Sequence, residues 1–235
     1  TVYKDMNGKK YAENISQLAL ANVDFDMQNR HHISYNLMMI HANTQSVGDY
    51  NGKNSIFSDD YENLGFTRRQ QTNDNMLIVN QLMTNWGLTK SLSLDAGASY
   101  NMVKGYEPDR RINNLTKAED GYTLLRGNSQ QRYFSTLDED DLNVKAGLVY
   151  RLKDNIEEIS NVRFGYTGRF VDDNFKATEY NLTVGHVSAI PSLDDFSLDD
   201  YYNQENFASD WFKIQKNLDE YTVKKNIHSA YAEAT

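Results

Sequence analysis

The side chains that could do chemistry here are five histidines, two acidic runs and scattered serines, and their spacing argues against most chemistries. His31 and His32 are adjacent, so on a strand they point to opposite faces and cannot ligate one metal. His41, His186 and His228 stand apart from them, and none shows the paired spacing of a zinc or metalloprotease site. Cysteine is absent, which removes disulfides and thiolate metal sites. Asp138, Glu139, Asp140 and Asp141 form one acidic run, and Asp194, Asp195, Asp199 and Asp200 another. Calcium takes such oxygens, but the calcium-loop glycine and final glutamate are missing, so charged solvated surface is the expectation. No Gly-x-Ser-x-Gly nucleophile elbow occurs. The expectation is a protein with no catalytic residues, no metal and no cofactor, and not an enzyme.

Binding chemistry is better represented. Tyr50, Phe57, Tyr61, Tyr106, Arg110, Arg111, Tyr122 and Trp211 lie in polar, Asn- and Asp-rich stretches, and aromatics with Arg are enriched at recognition hot spots. They are ligand-binding candidates, either as an external mouth or as packing between loops. A second set, Asp95, Ser99, Asn101, Lys145, Arg151, Arg163 and Arg169, recurs at alternate positions of strand-like segments. The formal net charge of -9 argues against nucleic acid, whose phosphates call for a basic surface.

The elements that must position these residues read as strands. Ser91 to Val103 alternates strictly, with Leu92, Leu94, Ala96, Ala98, Tyr100 and Met102 on one face and Ser91, Ser93, Asp95, Gly97, Ser99 and Asn101 on the other. Thirteen residues exceed the ~5–6 of an ordinary strand and suit a tilted membrane strand. Asn75 to Trp86 precedes it through a turn at 87–90, which makes a hairpin. Gln17 to Met27 and His32 to Asn43 form another through 28–30. Leu142 to Leu152 turns through 153–159 into Val162 to Phe170, and Tyr221 to Thr235 is a last extended segment.

Between the hairpins lie long polar stretches at 47–74, 104–141 and roughly 185–220. Compact soluble domains seldom carry several structureless loops beyond ~15 residues. Transmembrane barrels alternate short periplasmic turns with long extracellular loops. Nothing in the chain approaches the ~20 apolar residues of a spanning helix, but a spanning strand shows only alternate residues to lipid. Sixteen Tyr, ten Phe and two Trp would furnish the aromatic girdles of such a barrel. The predicted fold is therefore all-β, an antiparallel transmembrane β-barrel, with residues 1–235 forming a single barrel region. About seven strands, an odd number, point to a segment of a larger barrel, unless an eighth strand hides in 1–14 or 175–187. Residues 1–10 show no basic then apolar leader pattern, so the chain is expected to lie within a longer protein.

Asn161 to Phe175, NVRFGYTGRFVDDNF, resembles a strand of the TonB-dependent receptors of the Bacteroidetes type, with basic and aromatic residues around Phe164-Gly165. Tyr221 to Ala234, YTVKKNIHSAYAEA, is similar to a later strand of that family, although Lys224 or Lys225 stands where an acidic residue is common. Gln131 to Tyr150 looks like the family's extracellular return into a strand. The resemblance covers about two thirds of the chain by pattern. It implies a 22-stranded barrel in the bacterial outer membrane, with a plug domain that is not present in this chain. It also implies a TonB energy-coupling complex acting through that plug, a possible surface lipoprotein, and uptake of a scarce nutrient: an iron chelate, corrinoid, glycan or peptide. The alternatives are a small outer-membrane barrel with an adhesive or structural role, or a soluble β-barrel that binds a ligand.

Overall fold

The computed structural model describes residues 4–27, 30–155, 158–186, 189–190, 193 and 201–235. It is an all-β antiparallel meander. The long strands are β1 (Lys4–Met27), β2 (His31–Asn54), β3 (Leu64–Gly87), β4 (Leu92–Ala118), β6 (Gly127–Asn155), β7 (Glu158–Val184) and β9 (Phe212–Ala234). Short β5 (Gly121–Leu124) and β8 (Ala189–Ile190) and the helix α1 (Gln204–Ala208) complete it. The order is β1-β2-β3-β4-β6-β7-β9, with β5 paired to β4 and to β8. The sheet does not close: β1 and β9 are its two edges.

The expected strand cores are present, and all of them are longer than the alternation showed. The stretches 47–74 and 104–141, expected as structureless loops, are instead continuations of the hairpins. β2 and β3 stay in register from His31↔Trp86 to Lys53↔Leu64. β4 and β6 pair from Leu92↔Tyr150 to Ile112↔Gln131. Residues 4–14 extend β1 and 175–184 extend β7, so neither holds a separate eighth strand. Of the stretch 185–220, residues 212–220 belong to β9 and 204–208 to α1. Asp194, Asp195, Asp199 and Asp200 lie outside the described residues. The physical reason for the extra length is cross-strand pairing between polar side chains. Arg68 grips both oxygens of Asp49 at 2.7 and 2.8 Å, Arg132 grips Asp109, and Lys176 meets Glu220 at 2.7 Å.

At one end, termed the turn end, the hairpins close tightly. Thr89 Oγ1 accepts from the N–H groups of Ser91 and Leu92, and Asn155 pairs with Glu158 across two intervening residues. The opposite, or tip, end carries the connections 55–63 and 119–120. Gly121 follows the second with φ 125, a backbone that side-chain-bearing residues rarely adopt. Midway along the extension, two residues of β4 face one of β6 between Glu107 and Arg110. Pro108 lies in this bulge, where a missing N–H costs the ladder nothing.

Past Ile112, β4 exchanges its β6 partner for β5. Gln130, 1% exposed, fills the break. Its Oε1 accepts from Asn114 N–H at 2.8 Å and its Nε2 donates to Asn114 C=O at 2.7 Å, so one carboxamide stands in for a strand neighbour. Around this point Phe66, Leu115, Leu124, Leu182, Val184, Tyr201 and Phe212 form the one cluster of buried apolar residues among those described.

Candidate functional site

Register fixes which residues share a face. Leu94 pairs with Trp86 and Leu148, and Leu148 with Phe164. Ala98 lies between Leu82 and Val144, and Tyr100 pairs with Leu142, which pairs with Phe170. These residues make one apolar face across β3, β4, β6 and β7. Ile33, Tyr35 and Met39 on β2 continue it, with Phe25 and Val23 on β1. On β4 it runs from Leu92 to Met102, which is level with Asp140 on β6 and Asp172 on β7, and the next charges beyond it are Lys104 and Asp138.

The opposite face is polar. One row crosses six strands as Asn22, Asn36, Gln81, Ser99, Asn143 and Arg169. Asn22 Nδ2 donates to Asn36 Oδ1 at 2.7 Å. Asp141 accepts from Asn143 at 2.9 Å and from Arg169 Nη2 at 3.0 Å. Asp95 accepts from Asn85 and lies 3.9 Å from Arg163 Nη2. Asn101 Oδ1 and Arg163 Nε are buried without a hydrogen-bond partner, which leaves binding capacity unspent. Of the expected polar set, Asp95, Ser99, Asn101, Lys145, Arg163 and Arg169 share this face by register. Arg151 extends the same alternation at the turn end.

Burial is inverted relative to a soluble sheet. Leu82 is 50% exposed, Tyr150 50% and Phe164 59%, whereas Asp141 and Ser34 on the polar face are 7% and 5% exposed. Glycines help the polar face close up. Gly165 lets the Tyr231 ring lie against the β7 backbone, in space that a Cβ would occupy. Two recesses of about 300 and 330 Å³ open on this face, with Lys145 on the rim of both.

The eight aromatic and arginine candidates do not form one cluster. Tyr122 and Trp211 both pack on the apolar cluster of the tip end. Tyr122 accepts a hydrogen bond from Asn51 at 3.1 Å, and Trp211 faces His186 with ring centres 4.2 Å apart. Phe57 is buried against Gly65 in the β2–β3 connection. Tyr50 lies over Gly8 and Gly48. Arg110 stacks 4.1 Å above the Tyr133 ring, and Arg111 donates to Asp109 at 2.6 Å. Tyr61, in a single 3-10 turn, and Tyr106 are exposed. Burial pulls the Asp109 carboxyl pKa upward, but hydrogen bonds from Arg132 and Arg111 outweigh it and hold the group below the usual carboxylate range. Hydrogen bonding to Asp49 raises the Arg68 guanidinium.

Gln130, Tyr201, Tyr202 and Phe134 matter at the tip end and were not singled out by sequence. Only the apolar positions Leu115 and Leu124, flanking a polar hairpin, signal a core there. Among the described residues no three carboxylate or imidazole groups converge as metal ligands. No protein-family model matches the chain, and no curated protein matches it.

Proposed function

We propose that this chain is an arc of a transmembrane β-barrel in a bacterial outer membrane, serving TonB-dependent uptake of a scarce nutrient. The observation that carries this reading is the inverted burial of the sheet. A soluble sheet hides its apolar face against a core. Here that face is broad and open, with Leu82, Tyr150 and Phe164 half exposed or more, while Asp141 and Ser34 on the polar face are covered, and large exposed apolar patches mark membrane or partner surfaces.

The dimensions agree. The apolar run on β4 spans about 34 Å along the strand at ~3.4 Å per residue. Tilted by about 40°, it covers roughly 26 Å, close to the lipid-facing band of outer-membrane barrels. Trp86, Tyr150, Phe164 and Tyr166 gather at the turn end of that band, the place of an interfacial aromatic girdle. In lipid the free backbone groups of β1 and β9 need partners, which calls for further strands, and the resemblance to TonB-dependent receptors implies a barrel of about 22. The polar face then lines a lumen. It would meet a plug carried elsewhere in the full protein, through which a TonB complex supplies energy. The tip extensions, rising about 40 Å beyond the band by the same geometry, would face outside. There an iron chelate, corrinoid, glycan or peptide, and possible surface lipoprotein partners, would first be met.

Outer membranes probed with an antibody to residues 104–141 test this. A species several-fold heavier than 27.1 kDa, with nutrient uptake that stops when the proton gradient is collapsed, is the expected result. A species near 27 kDa in the same membranes contradicts it.

A further inference from the structure

On the apolar-face side of the tip extension, between β6, β7, β9 and α1, lies a cavity of about 470 Å³. Phe134, Tyr180, Tyr202, Phe207, Phe212 and Ile214 form most of its walls. Two pairs of rings meet nearly at right angles: Phe134 and Tyr180 at 85° with centres 5.9 Å apart, Tyr202 and Phe212 at 86° and 5.0 Å. Phe207 and Phe212 lie at 52°, with centres 5.7 Å apart. Rings set across one another offer a flat guest both faces and edges, the arrangements that aromatic contacts favour. Phe207 and Ile214, each nearly half exposed, leave one side of the box open to solvent.

The lining favours a guest without charge. Among the described lining residues Arg132 alone is charged, and Asp109 already accepts from its Nε and Nη2 at 3.1 and 2.7 Å. An anion would have to compete with bonds already made. A cation would meet Arg132, 5.4 Å from the Phe134 ring centre, and Lys216 Nζ, 6.0 Å from that of Tyr180. Either ion would exchange water for walls that are mostly rings, a transfer that costs free energy without a partner. A neutral ring gives up little in leaving water and gains contact on several sides.

We propose that this cavity binds a small uncharged molecule built on a flat aromatic ring system. The rings of Phe134, Tyr180, Phe207 and Phe212 hold it by edge and face contact, and no ion pair takes part. This site does not rest on the membrane reading, because tip-end residues alone build it.

Equilibrium dialysis of the full-length protein tests it, with detergent at equal concentration on both sides so that partition into micelles cancels. Four probes share one skeleton: 2-naphthalenemethanol, its saturated decahydro analogue, 2-naphthoate and 2-naphthylmethylammonium. Naphthalenemethanol should bind at least about tenfold more tightly than either ion. Phe207→Leu keeps the bulk and removes a ring. It should weaken naphthalenemethanol by about two- to tenfold and the saturated alcohol by less than about 1.5-fold. Should that variant misfold, Ile214→Ser, which shortens an apolar wall, should weaken both alcohols alike. The proposal is overturned if either ion binds as tightly as naphthalenemethanol, which would reveal a counter-charge in the cavity. It is equally overturned if no probe binds below about 1 mM, if Phe207→Leu weakens the two alcohols equally or neither, or if Ile214→Ser leaves both intact. None of these outcomes bears on whether the sheet spans a membrane.

Discussion

Replacing Gln130 with Leu removes a side chain that acts as a strand. The Asn114 carbonyl would keep the Leu125 N–H at 3.1 Å. The Asn114 N–H would lose the Gln130 oxygen at a site where Asn114 is 7% exposed. A buried donor left unpaired costs about 1–3 kcal/mol, and losing a second bond to a carbonyl that keeps one costs about 0.5–1 kcal/mol. The sum, about 1.5–4 kcal/mol, is local, because the long ladders below Ile112 do not depend on it. Hydrogen exchange is therefore the assay. Amides of 113–124 should lose protection by roughly 10- to 700-fold, at 1.4 kcal/mol per tenfold, while those of 76–102 stay unchanged. Gln130→Glu keeps the acceptor for Asn114 N–H but, when ionised, offers Asn114 C=O no donor. Its loss should shrink as acid protonates it. Protection of 113–124 within threefold of wild type in Gln130→Leu, about 0.6 kcal/mol, would refute the role assigned to this carboxamide.

Asp109 is ionised below its ordinary range in the folded chain. Its stabilisation is thus complete above the unfolded value near 3.9 and is lost as pH falls through the lower folded value. Comparing unfolding of wild type and Asp109→Asn from about pH 2 to 6 should show the difference vanish only at the acid end. No change across that range would remove Asp109 as a clasp. The bidentate Arg68–Asp49 pair, with side chains 20% and 30% exposed, should show a double-mutant coupling of about 1 kcal/mol. A coupling near zero would place it among inert surface pairs. Gly165→Ala puts a methyl where the Tyr231 ring lies. It should cost about 1–3 kcal/mol and loosen β9, and Tyr231→Ala in the same chain should recover most of that loss. Additive penalties would show that the ring does not set the glycine requirement.

Ser91 to Val103 was readable as a strand because its two faces see different surroundings, so apolar and polar residues alternate. The same holds for Leu142 to Leu152 and Val162 to Phe170. The extensions at 47–54, 64–74 and 104–118 lack that contrast. Apart from isolated apolar positions such as Phe66 and Leu115, both their faces are polar, and alternation vanishes although pairing continues. What holds them is a set of contacts between residues far apart in sequence, such as Arg132 with Asp109, which no local window contains. Candidate residues suffered likewise. Phe57 and Tyr61 are four positions apart in one polar stretch, yet one is buried and the other exposed. The register that sets Asp95, Ser99, Arg163 and Arg169 on one face was legible from alternation alone. That Gln130 closes a gap in the sheet was not, since glutamine in a polar hairpin carries no signal of burial.

The most direct test of the proposal that one face of the sheet meets lipid is nitroxide accessibility in the full-length protein reconstituted in lipid. Labels at Leu92, Leu148 and Phe164 should respond to oxygen dissolved in the bilayer and little to a water-soluble nickel chelate. Labels at Ser93, Asn143 and Arg163 should show the reverse. Equal responses at 92 and 93, or chelate access at all six positions, would contradict a lipid-facing apolar side and with it the barrel.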